Sequence, residues 1–391
     1  MSDVLISDEQ RRARLAIRHG LASPAPNPVA AADNVVVLHA TDPASIFLSV
    51  HARTRGVSVA DIETTLFEKR ELMRTLAMRR TLFVASRTVL PLIEVSSAGG
   101  VARTERNTLI KYLAQSDIST PEGWLAEAFS EVLDALDGSA GMTARQVTDV
   151  VPRLSTRITL GSGKFTQQAG ATSRVLGLMA VEGLLARGRP SGQWTGRQYV
   201  WHRRDQWLPI DQSLPDVDTA SAELVRLWLA AFGPGTMVDL RWWTGWPKAK
   251  VVNALARLDV VEVTLEHGQA GFVLAGDEVD VSIPDPWVAL LPALDPTPMG
   301  WKDRHWYVGD HAAELFDRNG NIGPTIWADG KIVGGWASRP DASIATELFA
   351  PLTSVQRGLL DRRLDDLANF VEETVVKPSF PTPLQKRLAG S

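Results

Sequence analysis

The most regular alternation of hydrophobic and polar residues lies between residues 236 and 274. Thr236 is placed to cap a short helix, TMVDLRWW, and Gly245 interrupts the chain before Pro247 opens a second helix, PKAKVVNALARL. Two alternating runs, VEVTLE and FVLAG, flank a glycine-containing turn, which is typical of a β-hairpin. Helix, turn, helix and hairpin together predict a winged helix, a unit that lays its second helix into a DNA groove.

The second helix of this unit separates apolar from basic positions. Its predicted apolar stripe consists of Val251, Val252, Leu255 and Leu258. Lys248 and Lys250 fall off that stripe, so we expect them to face DNA. A winged helix that serves only for packing or dimerisation would show the same periodicity, and that alternative stays open for a single unit.

Two further stretches repeat the order of helix and hairpin. In the first, Ser58 and Asp61 start a helix, and the strand-like runs LMRTLAM and TLFVAS meet at Arg79 and Arg80. In the second, residues 143–201, a capping pattern at Thr143 precedes a helix predicted from 172 to 186, with Gly188 as its stop. Between the two stretches, residues 101–137 read as two plain helices. Three such units follow one another, each with basic residues at its hairpin. This arrangement favours binding to a long stretch of duplex DNA over a role as a scaffold.

The C-terminal third has a different pattern. The runs PWVALLPAL, HWYVG, GPTIWAD and KIVGGWAS between residues 286 and 350 predict strands, with a hairpin turn at Asp329-Gly330. These strands indicate a small barrel or an antiparallel sheet. The connection at Trp301, Lys302 and Arg304 mixes an aromatic ring with cations, which suits a distorted DNA strand or an unstacked base. Core packing for the tryptophans is the alternative.

These patterns predict an α+β protein built from tandem winged-helix units and a small C-terminal β-barrel-like domain. The expected divisions are a first unit at 1–100, linking helices and a second unit at 101–215, a third unit at 216–283, a β-rich domain at 284–377 and a flexible tail at 378–391. The side chains expected to contact DNA are Arg53, Arg79, Arg80, Arg174, Arg189, Arg197, Lys248, Lys250, Trp301, Lys302 and Arg304.

The composition of the chain excludes several kinds of functional site. The 391 residues include no cysteine, which excludes disulfides, thiolate zinc sites and cysteine nucleophiles. The net charge of −4 argues against an indiscriminate polycation, so DNA contacts must come from local basic patches. The 7 histidines show no pair at metal-ligand spacing, so we expect neither metal nor cofactor. Without a signal core or a long apolar run, we expect a cytoplasmic protein.

Other catalytic signatures fail. Residues 161–165, GSGKF, lack the upstream glycine and the following hydroxyl of a phosphate-binding loop. No serine stands in a Gly-x-Ser-x-Gly elbow. We expect double-stranded DNA as the partner and no membrane; no pattern fixes the oligomeric state, and a monomer is the simplest expectation.

Three stretches of the chain resemble the winged-helix DNA glycosylases of the AlkZ/YcaQ type. They are LHATDPASIFLSVHAR (38–53), FGPGTMVDLRWWTGWPKAKVVNALARL (232–258) and LLPALDPTPMGWKDR (290–304). The resemblance implies tandem winged helices, a C-terminal β-barrel, and excision of bulky alkylated purines, including the unhooking of interstrand crosslinks. It also implies a shallow, open site, since a bulky adduct does not enter a closed pocket.

The resemblance places the catalytic water at residues 39–42. Family members carry Gln-x-Gln there, whereas this chain has His39 and Thr41, followed by Asp42. A neutral imidazole can accept a proton from water, a hydroxyl can hold that water, and a carboxylate can stabilise an oxocarbenium-like sugar. The alternatives are a structural histidine and Asp-Pro turn chemistry. The resemblance therefore predicts a glycosylase, and the other hypotheses are a non-catalytic regulator or lesion sensor and a protein-binding scaffold.

Overall fold

The computed structural model describes residues 4–161, 166–208 and 214–390, so the loop-like motif at 162–165 lies outside the described residues. Helices alternate along the chain with short sheets that are mostly antiparallel, which confirms the predicted α+β class. The elements of the N-terminal part are β1 (Leu5–Ile6), α1 (Asp8–Arg18), α2 (Pro28–Asp33), β2 (Leu38–His39), α3 (Pro43–Arg53), α4 (Val59–Glu63), β3 (Leu72–Leu76), β4 (Leu82–Ser86) and α5 (Leu90–Ile93).

The first sheet fixes the position of the motif at residues 39–42. Its strand order is β2-β4-β3, and β2 pairs with β4 so that His39 lies opposite Phe83. Met78–Arg80 forms a short 3₁₀ turn at the tip of the β3–β4 hairpin, where Arg79 adopts a left-handed backbone with φ of 55°. The predicted hairpin with a basic tip is therefore present.

The middle part has a separate set of elements. They are α6 (Gly99–Ala114), α7 (Pro121–Leu136), β5 (Met142–Thr143), α8 (Ala144–Val150), β6 (Arg157–Leu160), β7 (Gln167–Gly170), α9 (Thr172–Val181), β8 (Leu185–Pro190), β9 (Tyr199–Arg203) and α10 (Arg204–Trp207). The helix predicted to reach residue 186 ends at Val181 instead. Gly183, with φ of 78°, turns the chain, and Leu185 begins a strand that pairs with Arg203. Pairing with β9 outweighs the helical periodicity.

Residues 236–274 contain the predicted order of two helices separated by a turn and followed by a hairpin, and one further helix precedes them. The elements are α11 (Val217–Phe232), α12 (Met237–Thr244), α13 (Lys248–Leu255), β10 (Val260–Leu265) and β11 (Ala270–Leu274). Thr236 and Asp239 cap α12 reciprocally, and Gly245 ends it with φ of 70°. Val252 departs from the predicted apolar stripe, because its side chain is 42% exposed.

The C-terminal part is an antiparallel sheet covered by helices. Its elements are β12 (Val288–Leu291), α14 (His305–Val308), α15 (Ala312–Leu315), β13 (Thr325–Ala328), β14 (Lys331–Ser338), β15 (Ile344–Leu348), α16 (Ser354–Val371) and α17 (Pro383–Ala389). The strands lie in the order β12-β13-β14-β15, and among the described residues β12 and β15 do not pair, so the sheet is open and the expected barrel is absent.

Two segments of this region differ from their predictions. HWYVG, predicted as a strand, forms the helix α14, because Trp306, Tyr307 and Val308 are all buried in succession rather than alternately. The tail predicted to be flexible contains α17, whose Leu384 is 2% exposed. Thr382 caps this helix at the main-chain N–H of Gln385.

The buried side chains form two main cores. One extends from Leu15 to Leu384 and joins the N-terminal part, residues 217–274 and the C-terminal sheet. The other, from Ala98 to Trp201, belongs to the middle part. The strand β8 contributes to both, with Leu185 in the second core and Ala186 in the first. The motif at 39–42 is therefore supported by side chains that are distant in sequence.

Candidate active site and nucleic-acid interface

His39 is the last residue of β2, and its ring is largely enclosed. The side chain is 9% exposed, and its ring lies edge-to-face against Phe83 with centroids 5.6 Å apart. The main-chain N–H of Thr41 donates to Nδ1 across 3.4 Å. This arrangement corresponds to a neutral imidazole with its hydrogen on Nε2.

The electrostatic surroundings of His39 keep it uncharged. Burial, reinforced by the positive charge of Arg79, lowers the pKa of His39 to about 3. The ring is therefore neutral at physiological pH. A neutral ring can take part in a hydrogen bond to water without adding positive charge beside a cationic sugar.

Thr41 and Asp42 differ in their exposure. Thr41 is exposed, so its hydroxyl is available to solvent. Asp42, at the N-cap of α3, is 4% exposed, and its Oδ2 accepts a hydrogen bond from the main-chain N–H of Ser379 at 3.0 Å. Burial raises the pKa of Asp42, while the Ser379 N–H and the charge of Arg197 act to lower it. The motif therefore presents a neutral ring, a hydroxyl and an enclosed carboxyl group.

Two guanidinium groups share one aromatic ring close to this motif. The guanidinium carbon of Arg79 lies 4.1 Å from the centroid of Trp242, and that of Arg304 lies 4.7 Å from it. Burial and the charge of Arg304 lower the pKa of Arg79 to about 10, so both groups are charged at neutral pH. Stacking on the indole ring holds them at defined positions.

A cavity of about 460 Å³ opens beside these side chains, and Lys302 also lines it. We call Arg79, Lys302 and Arg304 the cationic cluster. Among the described residues no carboxylate forms an ion pair with any of the three. Asp239 lies near Arg304, but both of its oxygens accept hydrogen bonds from other groups. Uncompensated cations at one place are the arrangement that binds a phosphate.

A glycine allows the hairpin tip to reach α12. A Cβ atom built on Gly245 would lie 3.1 Å from Cγ of Arg79 and 3.4 Å from its main-chain nitrogen. Gly245 also has φ of 70°, which favours glycine. The turn after α12 therefore contacts the β3–β4 tip, where Arg79 lies near enough for its charge to act on His39.

The structure corrects the expected DNA contacts of Arg53 and Trp301. Arg53 is fully buried and forms an ion pair with Asp295, so no phosphate can reach it. Trp301 is 2% exposed, and its indole N–H donates to the carbonyl of Phe232. Both residues belong to the protein core.

Three of the other predicted cations already have partners within the chain. The ammonium group of Lys250 donates to the carbonyl of Ser96 and lies 4.3 Å from the ring of Trp246. Burial lowers the pKa of Lys250. Arg80 forms an ion pair with Glu105, and Arg189 forms one with Glu63. These pairings offset their charges, so their contribution to a DNA surface is smaller than the sequence implies.

The remaining predicted cations lie on the surface. Arg174, Arg197 and Lys248 are exposed. Arg197 lies in the loop between β8 and β9 and acts electrostatically on Asp42. Arg79 and Arg197 thus act on His39 and Asp42, and Lys302 and Arg304 lie beside Arg79, whereas Arg174 and Lys248 remain expected contacts at other positions.

The sequence did not indicate Trp242 or Ser379 as residues of the site. The pair Trp242-Trp243 carried a signal, because adjacent residues of a helix point in different directions, and of the two only Trp243 is buried. Ser379 gave no signal in the sequence, because it acts through its main-chain N–H on Asp42, which is 337 positions away.

Two further properties concern the described residues alone. Nowhere in 4–161, 166–208 and 214–390 do three His, Asp or Glu side chains gather in a way that would hold a metal ion. Within those ranges, no helix combines the length and apolar character needed to span a bilayer.

Comparison with known proteins relates this geometry to a family. A family model described as DNA glycosylase AlkZ-like matches residues 32–370. The Interstrand DNA cross-link repair glycosylase of Streptomyces sahachiroi is 26% identical over 288 residues, which cover 68% of this chain and 70% of the relative. The solved structure of Streptomyces sahachiroi DNA glycosylase AlkZ has the same fold, with a TM-score of 0.72 at 18% identity, covering 95% of this chain and 98% of that chain.

The family match includes the motif at 39–42, α12 and the cationic cluster. The chain therefore belongs to the AlkZ-like family of DNA glycosylases.

Proposed function

We propose that this protein hydrolyses the N-glycosidic bond of bulky or crosslinked alkylated purines in double-stranded DNA. The observation that carries the proposal is the position of Arg79, which packs against Gly245 and Trp242 and whose charge acts on His39. A phosphodiester held by the cluster would place a nearby nucleotide beside the candidate water site. The Streptomyces relative is named for repair of interstrand crosslinks, which makes crosslinked purines the first substrates to test.

The chemistry needs little acid catalysis. A ring-alkylated purine is already cationic, so its bond to the sugar breaks with the electron pair moving onto the base. The demanding tasks are to orient a water molecule and to stabilise positive charge on the sugar. Asp42 supplies the negative charge, and the exposed hydroxyl of Thr41 holds the water.

His39 has an orienting role in this proposal. With Nδ1 accepting the N–H of Thr41, its Nε2–H is a donor that can fix the oxygen of the water. The pKa of about 3 makes His39 a weak base, so the proton released by the attacking water goes to Asp42 or to solvent.

We propose that the helix and hairpin units act as winged helices on the duplex, with divisions near residues 100, 215 and 283. Lys248 on α13 and Arg174 on α9 are exposed and suit phosphate contacts away from the motif. The connection between β12 and α14 supplies Lys302 and Arg304. One chain provides all of these groups, so a monomer acting on cytoplasmic DNA suffices.

The decisive experiment uses duplex DNA with one bulky N7-alkylpurine and, separately, an interstrand crosslink. Release of the base is scored as abasic sites. We expect wild-type protein to release the base, Asp42→Asn to lose activity at least tenfold, and His39→Ala to lose less. Asp33→Asn is the matched control, because burial raises the pKa of that carboxyl group as well.

The alternatives give different results. Tight binding of the adducted duplex without base release identifies a non-catalytic DNA-binding protein. No duplex binding even at low salt identifies a scaffold. Activity that survives both Asp42→Asn and His39→Ala contradicts the proposed site.

The pH profile separates the two side chains. The pKa of His39 is about 3, so His39 should not titrate near pH 6.5. The pH profiles of base release by the wild-type protein and by His39→Ala should therefore have the same shape around that pH. An inflection near that pH in the wild-type profile alone would mean that His39 titrates during the reaction and acts as its general base.

A further inference from the structure

We propose that the C-terminal strap, residues 377–389, is part of the site, where the main-chain N–H of Ser379 positions the carboxylate of Asp42. The inference rests on the proposed function, because positioning matters only if Asp42 serves the reaction. Ser379 is thus a positioning residue and contacts no substrate.

The contact is direct and comes from the opposite end of the chain. The N–H of Ser379 donates to Oδ2 of Asp42 at 3.0 Å. Asp42 stands at the N-cap of α3, yet its side chain does not cap that helix. The carboxylate is therefore directed toward the strap instead of toward its own helix.

The strap is stiff where it passes Asp42. Pro378 and Pro381 flank Ser379, and each fixes one backbone angle and donates no hydrogen bond. Between these prolines the main-chain donors are the N–H groups of Ser379 and Phe380, and that of Ser379 reaches Asp42. A stiff donor costs little conformational entropy when it binds a carboxylate.

Beyond the contact, the strap is anchored to the C-terminal sheet. Thr382 and Leu384 are each 2% exposed. A Cβ atom on Gly323 would lie 2.7 Å from Oγ1 of Thr382, and one on Gly335 would lie 2.5 Å from Leu384. Two glycines thus leave room for two buried strap residues.

Ion pairs hold the C-terminal end of the strap in place. Arg387 on α17 donates to both oxygens of Glu347, at 3.1 Å and 2.8 Å, and to Glu314 at 2.9 Å. Exposed pairs of this kind contribute little singly, so the buried side chains carry most of the anchoring. Together these contacts fix the position of Ser379 relative to Asp42.

A hydrogen bond from an N–H to a carboxylate both orients it and favours its ionised form. Arg197 is the charged group that acts with it on Asp42. When the Ser379 N–H is removed, Asp42 loses the largest of the influences that lower its pKa, while its burial is unchanged. The pKa of Asp42 should then rise, and its carboxylate should be less well placed.

The test is Ser379→Pro in the full-length protein, since this substitution removes the N–H. Base release from the N7-alkylpurine duplex is measured from pH 4.5 to 8, after subtraction of spontaneous release. We expect kcat to fall roughly tenfold with little change in KM, and the acid limb to move upward by roughly half to one pH unit. Ser379→Ala retains the main-chain donor and removes only the hydroxyl, so it should move the acid limb less than Ser379→Pro does.

A second variant leaves Ser379 unchanged. A second measurement does not require turnover. Leu384→Asp releases the anchor and should move the acid limb in the same direction. The titration of Asp42, followed by carboxyl carbon NMR and assigned with Asp42→Asn, should shift upward in Ser379→Pro. Thermal unfolding verifies that each variant is folded.

The outcomes separate the two proposals. An unchanged Asp42 titration in Ser379→Pro, or an equal shift in Ser379→Ala, overturns the role of the N–H. A shifted titration in a protein that releases no base keeps the contact and rejects the proposed function.

Discussion

Arg53 donates two parallel hydrogen bonds to Asp295, at 2.8 Å to Oδ2 and 2.7 Å to Oδ1. Both side chains are fully buried. Arg53 ends α3, the helix that begins at the candidate motif, and Asp295 follows β12 of the C-terminal sheet. Burial by itself would raise the pKa of Asp295, but Arg53 and the hydroxyl of Ser49 more than offset this and hold it below its usual value. The pair therefore ties the motif to the sheet.

Removal of Arg53 should destabilise the protein strongly. In Arg53→Ala the carboxylate of Asp295 stays buried without its partner, and we expect a loss of about 3–5 kcal/mol in the free energy of unfolding, measured with urea. Arg257→Ala is the control, because its pair with Asp218 is exposed on both sides and should contribute less than about 1 kcal/mol. Similar losses in the two variants would contradict the buried-pair account.

Acid should weaken the folded state before the carboxylates titrate. Burial lowers the pKa of both His19 and His39 to about 3, from 6.5 in the unfolded chain. Unfolding therefore takes up protons below pH 6.5, and stability that is present above that pH is lost as pH falls. Each histidine should add a slope approaching about 1.4 kcal/mol per pH unit between pH 6 and 5.

The slope can be assigned by substitution. We expect His19→Gln to reduce the pH dependence of the urea midpoint. His305→Gln is the control, because the side chain of His305 is exposed. A slope that survives His19→Gln unchanged would mean that this ring is not buried in its neutral form.

The cationic cluster predicts a specific salt dependence. Arg79→Ala and Lys302→Ala should each weaken duplex binding and lower the slope of log Kd against log salt by about 1, since each removes one phosphate contact. Lys331→Ala, exposed at the turn between β13 and β14, is the control. Fluorescence anisotropy over a range of salt concentrations measures all three, and equal slopes would place the phosphates elsewhere.

Gly245 offers a test of the contact between α12 and the hairpin tip. Gly245→Ala adds a methyl group 3.1 Å from Arg79 at a φ of 70°, so it should strain the turn and displace Arg79. Gly56→Ala is the matched control, because Gly56 has φ of 67° with nothing within 4 Å. Both variants should lose about 1 kcal/mol of stability. Only Gly245→Ala should weaken duplex binding and base release.

Local patterns in the sequence predicted most of the elements correctly. Capping residues at Thr236 and Thr143 marked real helix starts, and alternation marked the β3–β4 and β10–β11 hairpins. These signals are short-range, because a cap or a turn is stabilised by neighbours within a few residues. The errors at 182–186 and 305–308 arose where pairing or burial by distant residues decided the structure.

The candidate site was less predictable, because burial decides which cations can reach DNA. Arg53 and Arg79 look alike in sequence, yet one is buried against Asp295 and the other stacks on Trp242. The strap was missed for a different reason. Thr382 and Gln385 follow the same capping pattern as Thr353 and Gln356, but the surrounding prolines suggested a loose tail.

The division of β8 between two cores has a mechanical consequence. Leu185 belongs to the interior of the middle part, whereas Ala186 and Trp194 are packed into the main interior. The ring of Trp194 lies 5.1 Å from Phe47 of α3, and Arg197 in the same loop acts on Asp42. If α9 binds duplex DNA and Asp42 serves the reaction, as proposed, a pull on α9 would pass through this ribbon to Asp42, and docking would then be coupled to cleavage of the glycosidic bond.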